Sequence, residues 1–348
     1  MTGEKREVGP ELMRIILMLQ IIGVHYLSHA GLLPQAGVPL AEGQFVGAIL
    51  ESVCIVCLNG WVLLSGYYMT ERSFRFRRLL LFLAEVYFYL LLGYGCMLLT
   101  GIMPREELGG VYGVVQRLLP ISGSAYWFMS AYIIVYILSP VLCMGMDRLT
   151  RGQARTMLLC LLFFSVLLKS VVPVRFPTDH DGYEAGWFIV LFLLARYLRK
   201  FEIRLPQPGL LLAGCFAGIA AGTLGFHALG LRTGHFLDFM NVFYAYNHVF
   251  NVAASMAMFQ LFRGLKLPEG RLPELIRRVA PSMLGVYLLH EHPAIRDRWL
   301  GWIEGLIGRV PAGQPALLLL HFTVSILMVF VVGLAVDQLR GLAERRVA

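Results

Sequence analysis

Charge is scarce in this chain. Asp, Glu, Lys and Arg make up 15% of its 348 residues, against about 25% in soluble globular proteins. Too little polar surface is left to face water all round. A cytosolic enzyme, a nucleic-acid-binding domain and a disordered chain are thereby excluded. No polar stretch is long enough to be a soluble domain; the longest loop, 102–123, is a short amphipathic segment. An uninterrupted apolar leader is also missing. The first hydrophobic run carries Arg14, Gln20 and His25, unlike the core of a cleavable signal, so the segment is expected to be retained. The six cysteines all lie inside apolar runs. Cys54 and Cys57 have CxxC spacing but no second pair, so they read as small apolar residues, with neither disulfide nor metal expected.

What fills the space is hydrocarbon. Residues AVILMFWYC account for 57% of the chain, and mean hydropathy is +0.67. A helix needs about 20 apolar residues to cross a bilayer. Charge clusters, glycines and prolines divide the sequence into ten such candidates: 11–33, 45–69, 79–101, 124–146, 155–174, 183–199, 209–230, 236–262, 279–299 and 314–339. The predicted fold class is therefore all-α, a polytopic bundle of about ten transmembrane helices forming one domain over residues 1–348. The net charge of +8 matters by its placement. With the N-terminus in the cytoplasm, 22 Lys and Arg fall inside and 7 outside, with Lys169 within a span. Cytoplasmic loops carry such an excess, so both termini are expected there, in a multi-pass protein of the cytoplasmic membrane.

Ionisable side chains inside a bilayer cost roughly 2.5–3.5 kcal/mol each and mark function. Arg14 and His25 are eleven residues apart, which returns to within about 20° of one helix face and separates them by about 16 Å along the axis. Arg14 then sits at the inner boundary and His25 at or beyond mid-depth. His290, His248 and His321 reach comparable depth, with Gln20, Asn247 and Glu291 nearby in sequence. Together they suggest a polar cavity open to the outside. The plainer alternative is that each satisfies one interhelical hydrogen bond. Histidine suits proton transfer near neutral pH. An imidazole could take a hydroxyl proton during attack on a thioester, or be acylated itself; spacing does not choose between them. A second constellation is the inner loop Arg72, Arg75, Arg77 and Arg78, interleaved with Phe74 and Phe76. Arginines of this kind bind phosphates, or simply touch anionic lipid and orient the helix pair.

In order along the chain come Glu11-Leu12-Met13-Arg14-Ile15-Ile16 with His25-Tyr26 after ten intervening residues, and Asn59 before Leu63-Leu64-Ser65-Gly66-Tyr67-Tyr68 and the basic loop. Next are Tyr126-Trp127-Phe128-Met129-Ser130-Ala131-Tyr132 leading to Leu138-Ser139-Pro140, and Gly186-Trp187-Phe188 ending at Tyr197-Leu198-Arg199-Lys200. Gly285-Val286-Tyr287-Leu288-Leu289-His290-Glu291 closes the series. This pattern resembles the membrane-bound acyltransferase family 3, over essentially the whole chain. Met129-Ser130-Ala131-Tyr132 stands where some branches carry Glu-Glu-Gln, and the sequence is more similar to the standalone polysaccharide O-acetyltransferases than to relatives with a C-terminal extracytoplasmic hydrolase-like domain.

The resemblance implies transfer of an acetyl group from cytoplasmic acetyl-CoA, the co-substrate, to a hydroxyl of an extracytoplasmic or lipid-linked cell-envelope glycan. It implies that His25 is the catalytic base or acyl carrier and that Arg14 helps position the donor. Arg72, Arg75, Arg77 and Arg78 would hold CoA phosphates. Tyr126, Trp127, Asn247, His290 and Glu291 would line the acceptor side or orient His25. Membrane lipid and the glycan are the expected partners, and assembly with a second copy of the chain is compatible with both. Two other readings stand beside this one: a transporter or flippase for a glycan or small amino acid, and an acyltransferase that passes another group such as succinyl.

Overall fold

The computed structural model describes residues 6–69, 74–119, 121, 126–172 and 179–347, the last three without their side chains. Every regular element among them is a helix. In chain order these are α1 (Val8–His29), α2 (Gln44–Cys54), α3 (Cys57–Tyr68), α4 (Phe76–Leu99), α5 (Gly110–Arg117), α6 (Trp127–Arg148), α7 (Arg151–Leu162), α8 (Leu168–Val171), α9 (Ala185–Lys200), α10 (Pro208–Thr233), α11 (Leu237–Val242), α12 (Val249–Gly264), α13 (Arg271–Val279), α14 (Met283–His290), α15 (Trp299–Ile307) and α16 (Pro315–Val347).

Seven described helical stretches are long and apolar enough to cross a membrane: α1, α2 with α3, α4, α6, α7 through α8, α10 and α16. The sequence led to ten. The other three candidates are helical too, but short or broken. The sixth is α9, of 16 residues. The eighth, expected as one helix over 236–262, is interrupted at 243–248 between α11 and α12. The ninth, expected over 279–299, ends at His290 and turns at 291–298. Pro281 and Pro293 flank α14; neither can donate a backbone hydrogen bond, which limits the helix on both sides.

A break inside a bundle exposes backbone polar groups that must find partners within the protein. At 243–248 they do. The Asn251 amide donates to the carbonyls of Phe243 and Ala245, Asn59 Nδ2 donates to the Tyr246 carbonyl at 2.7 Å, and the Tyr246 N–H donates to the Asp181 carbonyl. Gly182 follows Asp181 with φ +89°, and a Cβ there would meet Tyr246 Cβ at 2.7 Å. Only glycine lets that loop close onto the break. Between α2 and α3 the same accounting holds: Gln20 Nε2 donates to the Val53 carbonyl and Ser255 Oγ to that of Val56.

Helix α1 runs through the middle. Its Met13 and Leu17 pack into one apolar core, built mainly on α3, α6, α9 and α12. Met18, Ile22 and Tyr26, one position on in the helical repeat, pack into a second core on α4, α14 and α16. The bundle has a basic end, where Lys200 Nζ donates to the carbonyls of Met146 and Asp147 in the last turn of α6 and of Leu149 just after it. Arg199 bonds the Tyr67 carbonyl and Arg277 Nε that of Arg6 there. Cations on terminal carbonyls are favourable placements for both groups. At the far end, buried Lys169 lies 3.0 Å from Asp179 Oδ2 and 2.6 Å from Asp181 Oδ1.

Candidate active site

The seam between the two cores is not filled. A cavity of about 250 Å³ lies there, and α1 supplies Met18, Ile21 and His25 to its wall. These positions follow Arg14 by four, seven and eleven residues, so all four share one helical stripe. Arg14 occupies the next turn toward the basic end, where its Nη1 bonds Glu11 Oε1 at 2.8 Å. Ser65, Trp127, Phe128, Tyr132 and Tyr287 complete much of the wall around His25.

His25 and His290, 265 residues apart, meet at 3.1 Å between Nδ1 and Nε2. Glu291 Oε1 lies 3.0 Å from the same His25 Nδ1. The proton positions follow from the partners. His290 Nδ1 sits 2.8 Å from the Val286 carbonyl. A carbonyl only accepts, so this nitrogen carries the hydrogen, and in the neutral ring Nε2 is left to accept. His25 Nδ1 therefore donates, with His290 Nε2 and the Glu291 carboxylate both in reach. That assignment leaves the lone pair of His25 on Nε2, on a ring that lines the cavity. A base whose far nitrogen is fixed by an acceptor is the arrangement that holds catalytic imidazoles in the right tautomer. The three side chains also offer donor atoms within 4.8 Å of one another, close enough to share a metal ion.

The other two deep histidines follow the plainer alternative. His321 Nε2 donates to the Gly308 carbonyl, and its Nδ1 accepts from the Tyr26 hydroxyl at 2.7 Å. His248 Nδ1 accepts the Phe250 N–H at the start of α12. Both rings are structural.

Of the expected substrate contacts, Trp127 lines the cavity. Tyr126 is buried, and its hydroxyl donates to the Leu288 carbonyl at 2.9 Å, tying α6 to α14 instead. Asn247 lies apart from His25, donating to Asp179 Oδ1 in the Lys169 cluster. Phe82 in the wall had no signal in the sequence, since it sits in an apolar run with nothing to set it apart; Cys57 and Ser65, noted above for CxxC spacing and as part of a motif, were not marked as wall residues.

Toward the basic end a second cavity, about 270 Å³, is lined by Met69, Arg78 and Tyr136. Phe82 and Tyr132 belong to both walls, their ring centroids 6.2 Å apart. The two spaces thus adjoin across one aromatic pair, one bordered by Arg78 and the other by His25. Arg75 and Arg77 are exposed at the start of α4, beside this mouth. Arg72 lies outside the described residues.

Residues 7–337 match the family model described as "Acyltransferase domain". No curated protein and no solved structure matches.

Proposed function

Since this chain belongs to the acyltransferase-3 family and is a membrane acyltransferase, we propose that it moves an acetyl group from cytoplasmic acetyl-CoA to a hydroxyl of a cell-envelope glycan. The topology proposed with it is ten crossings of the cytoplasmic membrane, with both termini inside and the basic end facing the cytoplasm. Three of those crossings are then made by α9, by α11 with α12, and by α13 with α14. The family argues for chemistry on an acyl group over the transport reading.

The single observation that carries this function is the pair of adjoining cavities between Arg78 and His25, the track proposed for the donor. A CoA molecule is too charged to cross the bilayer, but its phosphates can stay at the basic end on Arg75, Arg77 and Arg78. The slim pantetheine arm enters the track, passes Phe82 and Tyr132, and brings the thioester to His25. The rise from Arg14 to His25, about 16 Å, is the depth it must cover.

At the far side an acceptor hydroxyl reaches the thioester carbonyl. His25 Nε2 takes the hydroxyl proton as the oxygen attacks. The tetrahedral intermediate then collapses, the carbon–sulfur bond breaks, and the thiolate takes the proton from the imidazolium to leave as CoA thiol. Glu291 and His290 on Nδ1 stabilise the imidazolium while it exists. In an acyl-histidine route the same Nε2 would attack first. Rapid-quench trapping with labelled acetyl-CoA separates the two: a covalent adduct on His25 establishes the second and its absence during turnover the first.

The test of the function is thiol release. Membranes holding the protein, given acetyl-CoA, should liberate free CoA only when a glycan acceptor is supplied. His25→Ala should lower the rate by about 10²–10⁴-fold, the usual contribution of a general base, while the purified variant keeps its helical circular dichroism. Unchanged turnover in that variant would reject His25. Succinyl-CoA run in parallel identifies the acyl group.

A further inference from the structure

Three metal-binding atoms converge where α1 meets the end of α14. His25 Nδ1 lies 3.1 Å from His290 Nε2 and 3.0 Å from Glu291 Oε1, and all three fall within 4.8 Å of one another. With both rings neutral and the carboxyl ionised, a single hydrogen stands among them, on His25 Nδ1. It cannot point at a ring nitrogen and a carboxylate oxygen at once, so one lone pair is always left without it. Around a tetrahedral dication with ligands at about 2.0–2.2 Å, neighbouring ligand atoms stand about 3.4 Å apart. The two measured edges fall just short of that, and small side-chain rotations open them to it.

Three further features suit a metal. The first is the outer partner of His290. Its Nδ1 bonds the Val286 carbonyl at 2.8 Å, as the far nitrogen of a metal-bound histidine usually does, which keeps Nε2 turned to the cluster. The second is the donor set. Two imidazoles and a carboxylate are ligands that zinc takes, whereas Mg²⁺ and Ca²⁺ want oxygen throughout. The third is a way in. His29 follows His25 by one helical turn on the same face, exposed at the end of α1 with its ring edge-on to Trp299 at 5.8 Å. Two histidines four apart on one helix face are the spacing that seats zinc in helical sites; the outer one can pass an ion to the inner one. The His25 side chain is 24% exposed, so an ion can reach it. One cation stands against these features. Arg296, on the 291–298 turn, acts electrostatically on both His25 and Glu291, and its repulsion keeps a bound dication exchangeable.

We propose that His25, His290 and Glu291 form a site for a transition-metal dication, Zn²⁺ above all, whose binding switches His25 off as a base. The ion takes the lone pairs of His25 Nδ1, His290 Nε2 and Glu291 Oε1. The hydrogen of the His25 ring passes from Nδ1 to Nε2 by way of solvent, with no net proton gained or lost. Nε2 then carries a hydrogen and can no longer accept one from a hydroxyl. Metal on one nitrogen and base action on the other exclude each other. The binding stands on this geometry alone; the switching rests on the proposed function.

The test uses the full chain in nanodiscs, stripped with a chelator and titrated with Zn²⁺ against a fluorescent zinc indicator. One Zn²⁺ should bind per chain, and excess Mg²⁺ or Ca²⁺ should not displace it. His290→Ala and Glu291→Ala should each weaken binding at least about 100-fold, since losing even an outer partner costs about 10–100-fold. His290→Cys, which offers a thiolate ligand, should recover binding, a rescue that a misfolded variant would not show. Arg296→Gln should tighten binding several-fold by removing a like charge. In the transfer assay Zn²⁺ should suppress CoA release by the wild type, and chelator should restore it. No binding, or binding that survives both alanine substitutions, would overturn the site. CoA release that rises with Zn²⁺ would overturn the switch and make the ion a participant in the chemistry. Zn²⁺ held by these three ligands in a protein that releases no CoA would sustain the site and reject the enzymatic reading instead.

Discussion

At the scale of single residues, the surroundings of one nitrogen bear on what His25 can do: Nδ1 is bonded to His290 at 3.1 Å and lies 3.0 Å from a Glu291 carboxylate oxygen. Glu291→Gln keeps the shape of the side chain but can present an amide N–H to His25 Nδ1, which drives the ring proton onto Nε2 and removes the proposed base. Turnover should fall by about 10²–10⁴-fold, as when the orienting carboxylate of a catalytic histidine is made an amide. Glu291→Asp should recover part of it. The readout is the pH dependence of CoA release: a merely structural Glu291 would leave its profile unshifted. His25, His290 and Glu291 were legible from depth and residue type. His248 and His321 had the same depth and a different fate, because depth cannot show whether a ring nitrogen meets a carbonyl, a hydroxyl or an open cavity. The same limit applies to Tyr126, spent on a carbonyl, and to Asn247, which faces Asp179.

At the scale of elements, the broken helices build the site. His290 ends α14, and Glu291 follows as its cap with the N–H still on the Tyr287 carbonyl, so both side chains reach the same nitrogen before the chain turns away. The 243–248 break lets Tyr246 reach the cavity wall. It rests on Asn251, whose amide bonds the carbonyls of Phe243 and Ala245; Ala245 also accepts the His248 N–H, while among the described residues Phe243 depends on Asn251. Asn251→Ala should destabilise the protein by about 1–3 kcal/mol for the Phe243 carbonyl left unbonded, seen as a lowered Tm in detergent; Asn251→Gln should lose less than Asn251→Ala. An unchanged Tm would mean that the carbonyl finds another partner. Hydropathy could not locate these breaks, since apolar residues run straight through them. The visible trace was the pair of asparagines, Asn59 and Asn251, inside otherwise apolar stretches.

At the scale of the whole molecule, function depends on the two ends staying distinct. In a background with all six cysteines replaced, a membrane-impermeant thiol reagent should label Gly313→Cys on intact cells and leave Gly152→Cys untouched until the membrane is opened. The reverse pattern would invert the proposed topology. Phe82→Trp, at the joint of the two cavities, should raise KM for acetyl-CoA about tenfold by overfilling a packed aromatic contact, with KM for the acceptor unaltered; an unaltered donor KM would route the donor elsewhere. The division of labour between sequence and structure is sharpest here. The scarcity of charge, the spacing of apolar runs and the ordered motifs sufficed for a helical membrane acyltransferase, because solvent preference and helical period act locally along a chain. The meeting of His25 with His290 and the adjoining of the two cavities depend on contacts between distant segments. Packing geometry alone selects those, and no local pattern encodes which nitrogen ends beside which oxygen.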